Sequence, residues 1–219
     1  MYLNMTGLTK TNQIINYLDE LFINPKCELN YNKDYELLLA VMLSAQTTDK
    51  RVNKVTEVLF NKYDSLDKLS DANINDLQYI IRQIGTFRKK SENIKQISKS
   101  LLLDKEGIVP NDRTYLESLP GVGRKTVNVV LANLYDEPLI AVDTHVERVS
   151  KRLGLAKKDD SVLVVEQKLN KKFPKKVLNR LHHQLVLFGR YYCKSQNPNC
   201  ENCKIKNLCK YKHLTKKSR

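Results

Sequence analysis

A chain of 219 residues with a formal charge of +14 indicates a polyanion partner, because a basic balance of this size attracts nucleic acid or another anionic surface. With 41% hydrophobic residues the chain can bury the core of one domain or two small ones. No apolar run is long enough to span a bilayer and the first residues lack an apolar signal core, so we expect a cytoplasmic protein with no membrane partner.

The chain reads as a series of short helices joined by short loops, without convincing strand alternation. This pattern predicts an all-α fold. Residues 11–22 have the period of an amphipathic helix. Residues 35–43 are apolar nearly all the way round, which predicts a central buried helix. Asp49 and Asp71 are predicted to cap or open the two helices that follow.

Two further helices enclose a glycine hairpin at residues 119–126. Asp112 is the predicted N-cap of the first helix, and Pro120 ends it. Gly121 and Gly123 are expected to adopt backbone angles that a side chain would forbid, and to leave their N–H groups uncovered. With Arg124 alongside, such a loop at a helix N-terminus predicts a site for a nucleic-acid phosphate. From the hairpin alone, a simple tight turn between packed helices is an equal alternative.

A short apolar run at residues 138–142 leads to Asp143 at the predicted start of another helix. The simplest interpretation makes Asp143 an N-cap. A second makes it a carboxylate that helix amides keep ionised, ready to act on a neighbouring amine. The two interpretations are compatible.

Four cysteines crowd the C-terminal segment in the pattern C-x6-C-x2-C-x5-C, and they predict four thiolates around one metal centre. Structural zinc usually takes two close pairs, whereas only one pair is close here, so the spacing favours iron–sulfur and leaves zinc open. An odd total of five cysteines argues against a disulfide framework. The predicted ligands are Cys193, Cys200, Cys203 and Cys209.

In order and spacing, residues 43–49 (LSAQTTD), 119–126 (LPGVGRKT), 142–145 (VDTH) and the cysteine pattern resemble the endonuclease III family of helix-hairpin-helix DNA glycosylases. The resemblance covers nearly the whole chain. It implies a six-helix barrel of residues 28–136 that contains the hairpin. It also implies a discontinuous second domain, residues 1–27 and 137–219, in which the four cysteines hold a 4Fe–4S cluster. A monomer would bind double-stranded DNA in a groove between the domains.

The resemblance also implies a chemistry and its residues. The family removes oxidised pyrimidines such as thymine glycol and cuts abasic sites by β-elimination through a lysine Schiff base. By position, Lys125 matches the nucleophile and Asp143 the essential carboxylate. Gln46 matches the side chain that fills the hole left by the flipped nucleotide, and Thr86 stands where the family commonly has a leucine wedge. The implied DNA contacts of the hairpin are Gly121, Val122, Gly123 and Arg124.

Two alternatives stay open from the sequence. A pyrimidine-dimer glycosylase of the same superfamily shares the lysine and the cluster. A non-catalytic helix-hairpin-helix protein would bind DNA without cutting it, although the presence of both Lys125 and Asp143 disfavours that interpretation.

Overall fold

The structure is a computed structural model that describes residues 9–211. Over that range the regular structure is entirely helical and contains no strand, as the sequence predicts. The chain forms two compact units. One unit is Cys27–Asp136, and the other combines the described parts of residues 1–26 and 137–219.

The unit of residues 27–136 is built around its first helix, α2 (Asp34–Leu43). Every residue from Tyr35 to Leu43 is buried, which confirms the predicted central helix. The buried carboxylate of Glu36 is compensated by the backbone N–H groups of Asn32 (2.7 Å) and Lys33 (3.2 Å). The helices of this unit are α2 (Asp34–Leu43), α3 (Asp49–Lys62), α4 (Leu66–Asp71), α5 (Ile74–Ile80), α6 (Phe87–Lys105), α7 (Arg113–Ser118) and α8 (Arg124–Tyr135).

Two predicted helix starts in this unit are wrong. Asp49 is the first residue of α3 and Thr48 is its N-cap, although an acid in the first turn still suits the helix dipole. Asp71 ends α4 instead of opening a helix. The next helix begins at Ile74, because the side chain of Asn73 accepts the N–H groups of the first turn and so fixes the start there.

The other unit packs α1 against α11 across a long separation in sequence. Ile14 and Leu18 of α1 lie in the same buried core as Leu181 and Leu185 of α11. The side chain of Gln184 donates to Asp19 at 2.7 Å beside this contact. The helices are α1 (Lys10–Leu21), α9 (Thr144–Arg152), α10 (Val162–Lys172) and α11 (Leu178–Leu187), followed by a π turn at Phe188–Tyr192.

Candidate functional site

The glycine hairpin joins α7 to α8 and packs on the body of its unit. Asp112 accepts the backbone N–H of Tyr115 at 3.0 Å, which confirms the predicted N-cap of α7. Gly121 has a φ of +77°, and a Cβ at this position would lie 2.4 Å from Nδ2 of Asn93 and 3.6 Å from Cγ of Met42. Gly121 is therefore required both by its backbone angle and by the space around it.

Gly123 differs from its expected role. Its φ is −106° and its ψ 176°, an extended conformation open to any residue, and a Cβ would meet nothing within 4 Å. The prediction that a side chain would be forbidden is right for Gly121 and wrong for Gly123. As the N-cap of α8, Gly123 has neither a positive φ nor a close neighbour.

We expect Gly121→Ala to be far more disruptive than Gly123→Ala. The left-handed backbone and the overlap with Asn93 should together lower the free energy of unfolding by about 2–4 kcal/mol. Gly123→Ala should cost at most about 1 kcal/mol. Denaturant unfolding of both variants checks this, and equal losses would show that the hairpin relaxes around a side chain at residue 121.

The first turn of α8 carries only positive charge. Arg124 and Lys125 are the first two residues of the helix, both are exposed, and no acidic residue lies in that turn. The side chain of Lys125 makes no hydrogen bond or ion pair within the described part of its own unit. Because a helix N-terminus favours anions, this arrangement favours a bound phosphate and leaves the Lys125 amine free to react.

The two carboxylate oxygens of Asp143 differ in their contacts. Its Oδ1 accepts the backbone N–H groups of His145 (2.9 Å) and Val146 (2.8 Å), which confirms the predicted N-cap of α9. Within its own unit no described residue donates to Oδ2. The side chain is only partly buried, so Oδ2 can act on a proton or a positive charge while Oδ1 holds the orientation fixed.

Helix α9 also connects Asp143 to the cysteine-rich segment. Arg148 donates to the carbonyl oxygens of Gly189 (2.7 Å) and Cys193 (3.2 Å). Arg152 donates to those of Lys194 (2.6 Å) and Ser195 (3.1 Å). Sequence reasoning missed both arginines, and the only local signal was their spacing of four on one helix face.

The four cysteines line a single cavity of about 110 Å³. None of them forms a disulfide. Burial raises the pKa of the Cys200 and Cys203 thiols, and the neighbouring cysteine sulfurs raise it further. Four thiolates crowded in this way need a positive group among them.

The donor set of this cavity, four thiols without a histidine or a carboxylate, is typical of a thiolate-bound metal centre. Among residues 9–211, no three Cys, His, Asp or Glu side chains lie where they could hold one metal ion. Four sulfurs around one zinc ion must each lie about 2.3 Å from it. An iron–sulfur cluster is also held by four cysteine thiolates, so the lining fits such a cluster as well.

Four exposed residues in the unit of residues 27–136 have left-handed backbone, and two of them, Glu106 and Asp136, are helix C-caps, where that conformation is common. The other two are Gln46 and Thr86. Gln46, in the loop between α2 and α3, has a φ of 59°, and Thr86, at the start of α6, has a φ of 55°. Neither is a glycine, so each position costs about 1–2 kcal/mol unless its surroundings fix it. Strain of this kind concentrates at functional sites, and sequence reasoning did not predict it at either residue.

Comparison with known proteins identifies the family. Residues 39–175 match the HhH-GPD superfamily of base excision DNA repair proteins. Endonuclease III of Bacillus subtilis (strain 168) is 46% identical over 206 residues, which are 94% of each chain. The chain belongs to the endonuclease III family. Endonuclease III of Escherichia coli K12 is 42% identical over 200 residues, 91% of this chain and 94% of that one.

Solved structures agree with this assignment. A trapped endonuclease III–DNA covalent intermediate with an estranged adenine superimposes with a TM-score of 0.87 at 46% identity, covering 93% of this chain and 96% of that one. A thermostable thymine-DNA glycosylase, at 22% identity and a TM-score of 0.79, shares the fold. The predicted all-α fold and enzyme class, a base excision repair DNA glycosylase with AP lyase activity, are therefore confirmed for this endonuclease III family member.

Family membership implies a 4Fe–4S cluster in general, and the four cysteines here are a fitting set of ligands. In the part of the chain that the structure describes, no helix is both long and apolar enough to cross a membrane.

Proposed function

We propose that this chain excises oxidised pyrimidines such as thymine glycol from double-stranded DNA and cuts the strand at the resulting abasic site. The observation that carries this proposal is the exposed, unpaired amine of Lys125 in the acid-free first turn of α8, directly after the hairpin. The DNA complex trapped as a covalent intermediate in a 46% identical relative supports the same chemistry. With DNA as substrate, we place the enzyme in the cytoplasm and expect it to act as a monomer.

Lys125 is the proposed nucleophile. Its deprotonated amine attacks C1′ of the damaged nucleotide, a C–N bond forms, and the glycosidic bond to the base breaks. After the bound nitrogen loses a proton, its lone pair forms the C=N bond while the C1′–O4′ bond breaks and O4′ takes up a proton, which gives a protonated imine. The imine acidifies the hydrogens on C2′, and removal of one of them expels the 3′ phosphate. A water nucleophile would release the base and leave the strand intact, so the lysine accounts for the lyase step.

Asp143 is the proposed carboxylate of the reaction. A group that accepts a proton from the attacking amine, or stabilises positive charge on the sugar, must be both ionised and fixed in direction. Two backbone N–H groups fix Oδ1 and so support that assignment, while Oδ2 stays available.

The remaining DNA contacts are assigned to the hairpin and to one loop. Gly121, Val122, Gly123 and Arg124 would receive a backbone phosphate at the start of α8, and Gln46 would fill the space that the flipped nucleotide leaves. The exposure of the Gln46 side chain on a strained loop supports its role. Phosphate contacts of this type make binding weaken steeply as salt increases.

We propose that the cofactor is a 4Fe–4S cluster bound by the four cysteines. When bound, it supplies a covalent cross-link for a segment with few buried apolar side chains, and it takes no part in bond breaking. Arg152 holds the first cysteine loop in place by donating to the carbonyls of Lys194 and Ser195.

We expect the protein purified without oxygen to contain about four iron atoms per chain and no stoichiometric zinc. Cys203→Ser should lower the iron content and the visible absorbance, whereas Cys27→Ser, outside the cavity-lining residues, should change neither. Elemental analysis and absorbance spectra of the two variants check this. One zinc per chain in the anaerobic preparation would contradict the cluster.

The experiment that tests the function is a single-turnover assay on three duplexes, which contain thymine glycol, an abasic site or a cyclobutane dimer. Cleavage of the first two with little of the third supports the proposal. Cleavage of the dimer alone would show that the enzyme is a pyrimidine-dimer glycosylase. Binding without any cleavage would favour a non-catalytic DNA-binding protein.

A further inference from the structure

Lys90 is a buried cation that the proposed chemistry does not use. It lies on α6 with only 6% of its surface exposed, and burial lowers the pKa of its amine. Its Nζ donates to the backbone carbonyls of Leu43 (2.9 Å) and Ala45 (2.7 Å). It has no carboxylate partner among the described residues of its unit. A buried amine bound only to neutral carbonyls is costly, so its position needs an explanation.

Helix capping explains only part of this arrangement. Leu43 is the last residue of α2, and a cation at a helix C-terminus stabilises the unpaired carbonyls there. Ala45 lies beyond the helix and is exposed, so the second hydrogen bond restrains the loop between α2 and α3 and does not cap the helix. The Ala45 carbonyl belongs to the peptide unit that immediately precedes Gln46, whose φ is 59°.

Lys90 also lies one turn of α6 from a second left-handed residue, Thr86. The backbone N–H of Lys90 donates to the carbonyl of Thr86 at 3.1 Å, in the first turn of α6. The Lys90 side chain thus ties the Gln46 loop, through the Ala45 carbonyl, to the first turn of α6, whose N-cap is Thr86. Left-handed backbone angles at non-glycine residues persist only where the surroundings determine them, and the hydrogen bond to Ala45 supplies such a restraint beside Gln46.

We propose that Lys90 is a positioning residue whose side chain holds Gln46 in its left-handed conformation, so that Gln46 enters the duplex as a preformed wedge. This inference rests on the proposed insertion of Gln46. Lys90 itself does not touch DNA in this account. Its contribution is to spare the loop an ordering step when the nucleotide is flipped, since a loop that must order on binding inserts more slowly.

The chain offers a matched control five residues further along α6. Lys95 is partly buried, and its Nζ likewise donates to a backbone carbonyl, that of Ala72 at the end of α4. Lys90→Met and Lys95→Met therefore remove the same kind of bond from the same helix. Only Lys90→Met removes it from the loop that carries Gln46.

The test combines single-turnover cleavage with the fluorescence of 2-aminopurine placed beside thymine glycol, which rises when the stack opens. We expect Lys90→Met to lower both the cleavage rate and the rate of the fluorescence rise by about tenfold or more. In Lys95→Met, both rates should stay within about threefold of those of the wild-type protein. Adding Lys90→Met to Gln46→Ala should cause little further loss, because both changes remove the same insertion. Thermal unfolding checks that each variant is folded. If Lys90→Met does not fold, Lys90→Gln, which retains one hydrogen-bond donor group, replaces it.

Three outcomes would overturn the inference. If folded Lys90→Met opens the stack at the wild-type rate while Gln46→Ala is impaired, only the role of Lys90 is refuted. The proposed function would then still stand. If the fold-loss in rate of the double variant equals the product of the two single losses, Lys90 acts independently of Gln46. Full activity of Gln46→Ala would refute the wedge itself, and the role of Lys90 with it.

Discussion

Lys125→Gln is expected to abolish strand cleavage and borohydride-trapped adducts, with a loss on the order of 10³-fold or more, while binding of lesion DNA changes little. Glutamine keeps most of the side-chain length and its polarity but has no nucleophilic amine. Because Lys125 is exposed and unpaired within its unit, the change removes no contact there. It also removes a cation from a helix N-terminus, so thermal stability should be unchanged or slightly higher.

Arg124→Gln is the matched control, since it removes the same charge from the same turn of α8. It should weaken DNA binding and reduce the salt dependence of binding, but at saturating enzyme it should leave the trapping rate nearly unchanged. Retention of lyase activity in Lys125→Gln, or an equal loss of trapping in Arg124→Gln, would end the assignment of Lys125 as nucleophile.

Asp143→Asn is expected to lower turnover by about 10²-fold or more with lesion binding largely kept, the range for removing a positioned acid–base group. Asparagine caps helices as well as aspartate does, so its oxygen can still accept the N–H groups of His145 and Val146. The substitution therefore removes the charge and preserves the cap. Single-turnover rates and thermal unfolding, measured together, separate these two effects.

Asp112→Asn provides the comparison at a purely structural cap. Asp112 caps α7 by accepting the N–H of Tyr115, and no catalytic role is assigned to it. It should have wild-type turnover and nearly wild-type stability. If Asp143→Asn unfolds, or keeps full turnover, Asp143 is a cap alone and the proposed proton transfer must involve another group.

Local signals account for what the sequence predicted well. Residues 35–43 are apolar on every side, and only a helix surrounded by others can bury such a segment, as α2 does. Asp112 and Asp143 are short acceptors directly before the first residue of a helix, and both cap as predicted. The prediction for Asp71 is wrong because Asn73 lies two residues further on, and its side chain accepts the backbone N–H groups in the first turn of α5.

The features that the sequence did not predict depend on contacts between residues far apart in the chain. The amine of Lys90 meets a carbonyl 47 residues earlier in the chain, and Arg152 meets the cysteine loop about 40 residues later. Gly121 and Gly123 look alike in sequence, but only Gly121 combines a left-handed backbone with the close packing of Asn93. Such pairings depend on how whole helices dock, which periodicity and capping do not determine.

The central claim is that the Lys125 amine forms the covalent bond to the sugar. Its most direct test is to trap the enzyme on a thymine glycol duplex with borohydride, digest the adduct, and locate the modified residue by peptide mass spectrometry. We predict a single modified peptide with the added sugar mass on Lys125. An adduct on a different lysine or on the terminal amine, or strand cleavage with no adduct at all, would contradict the account.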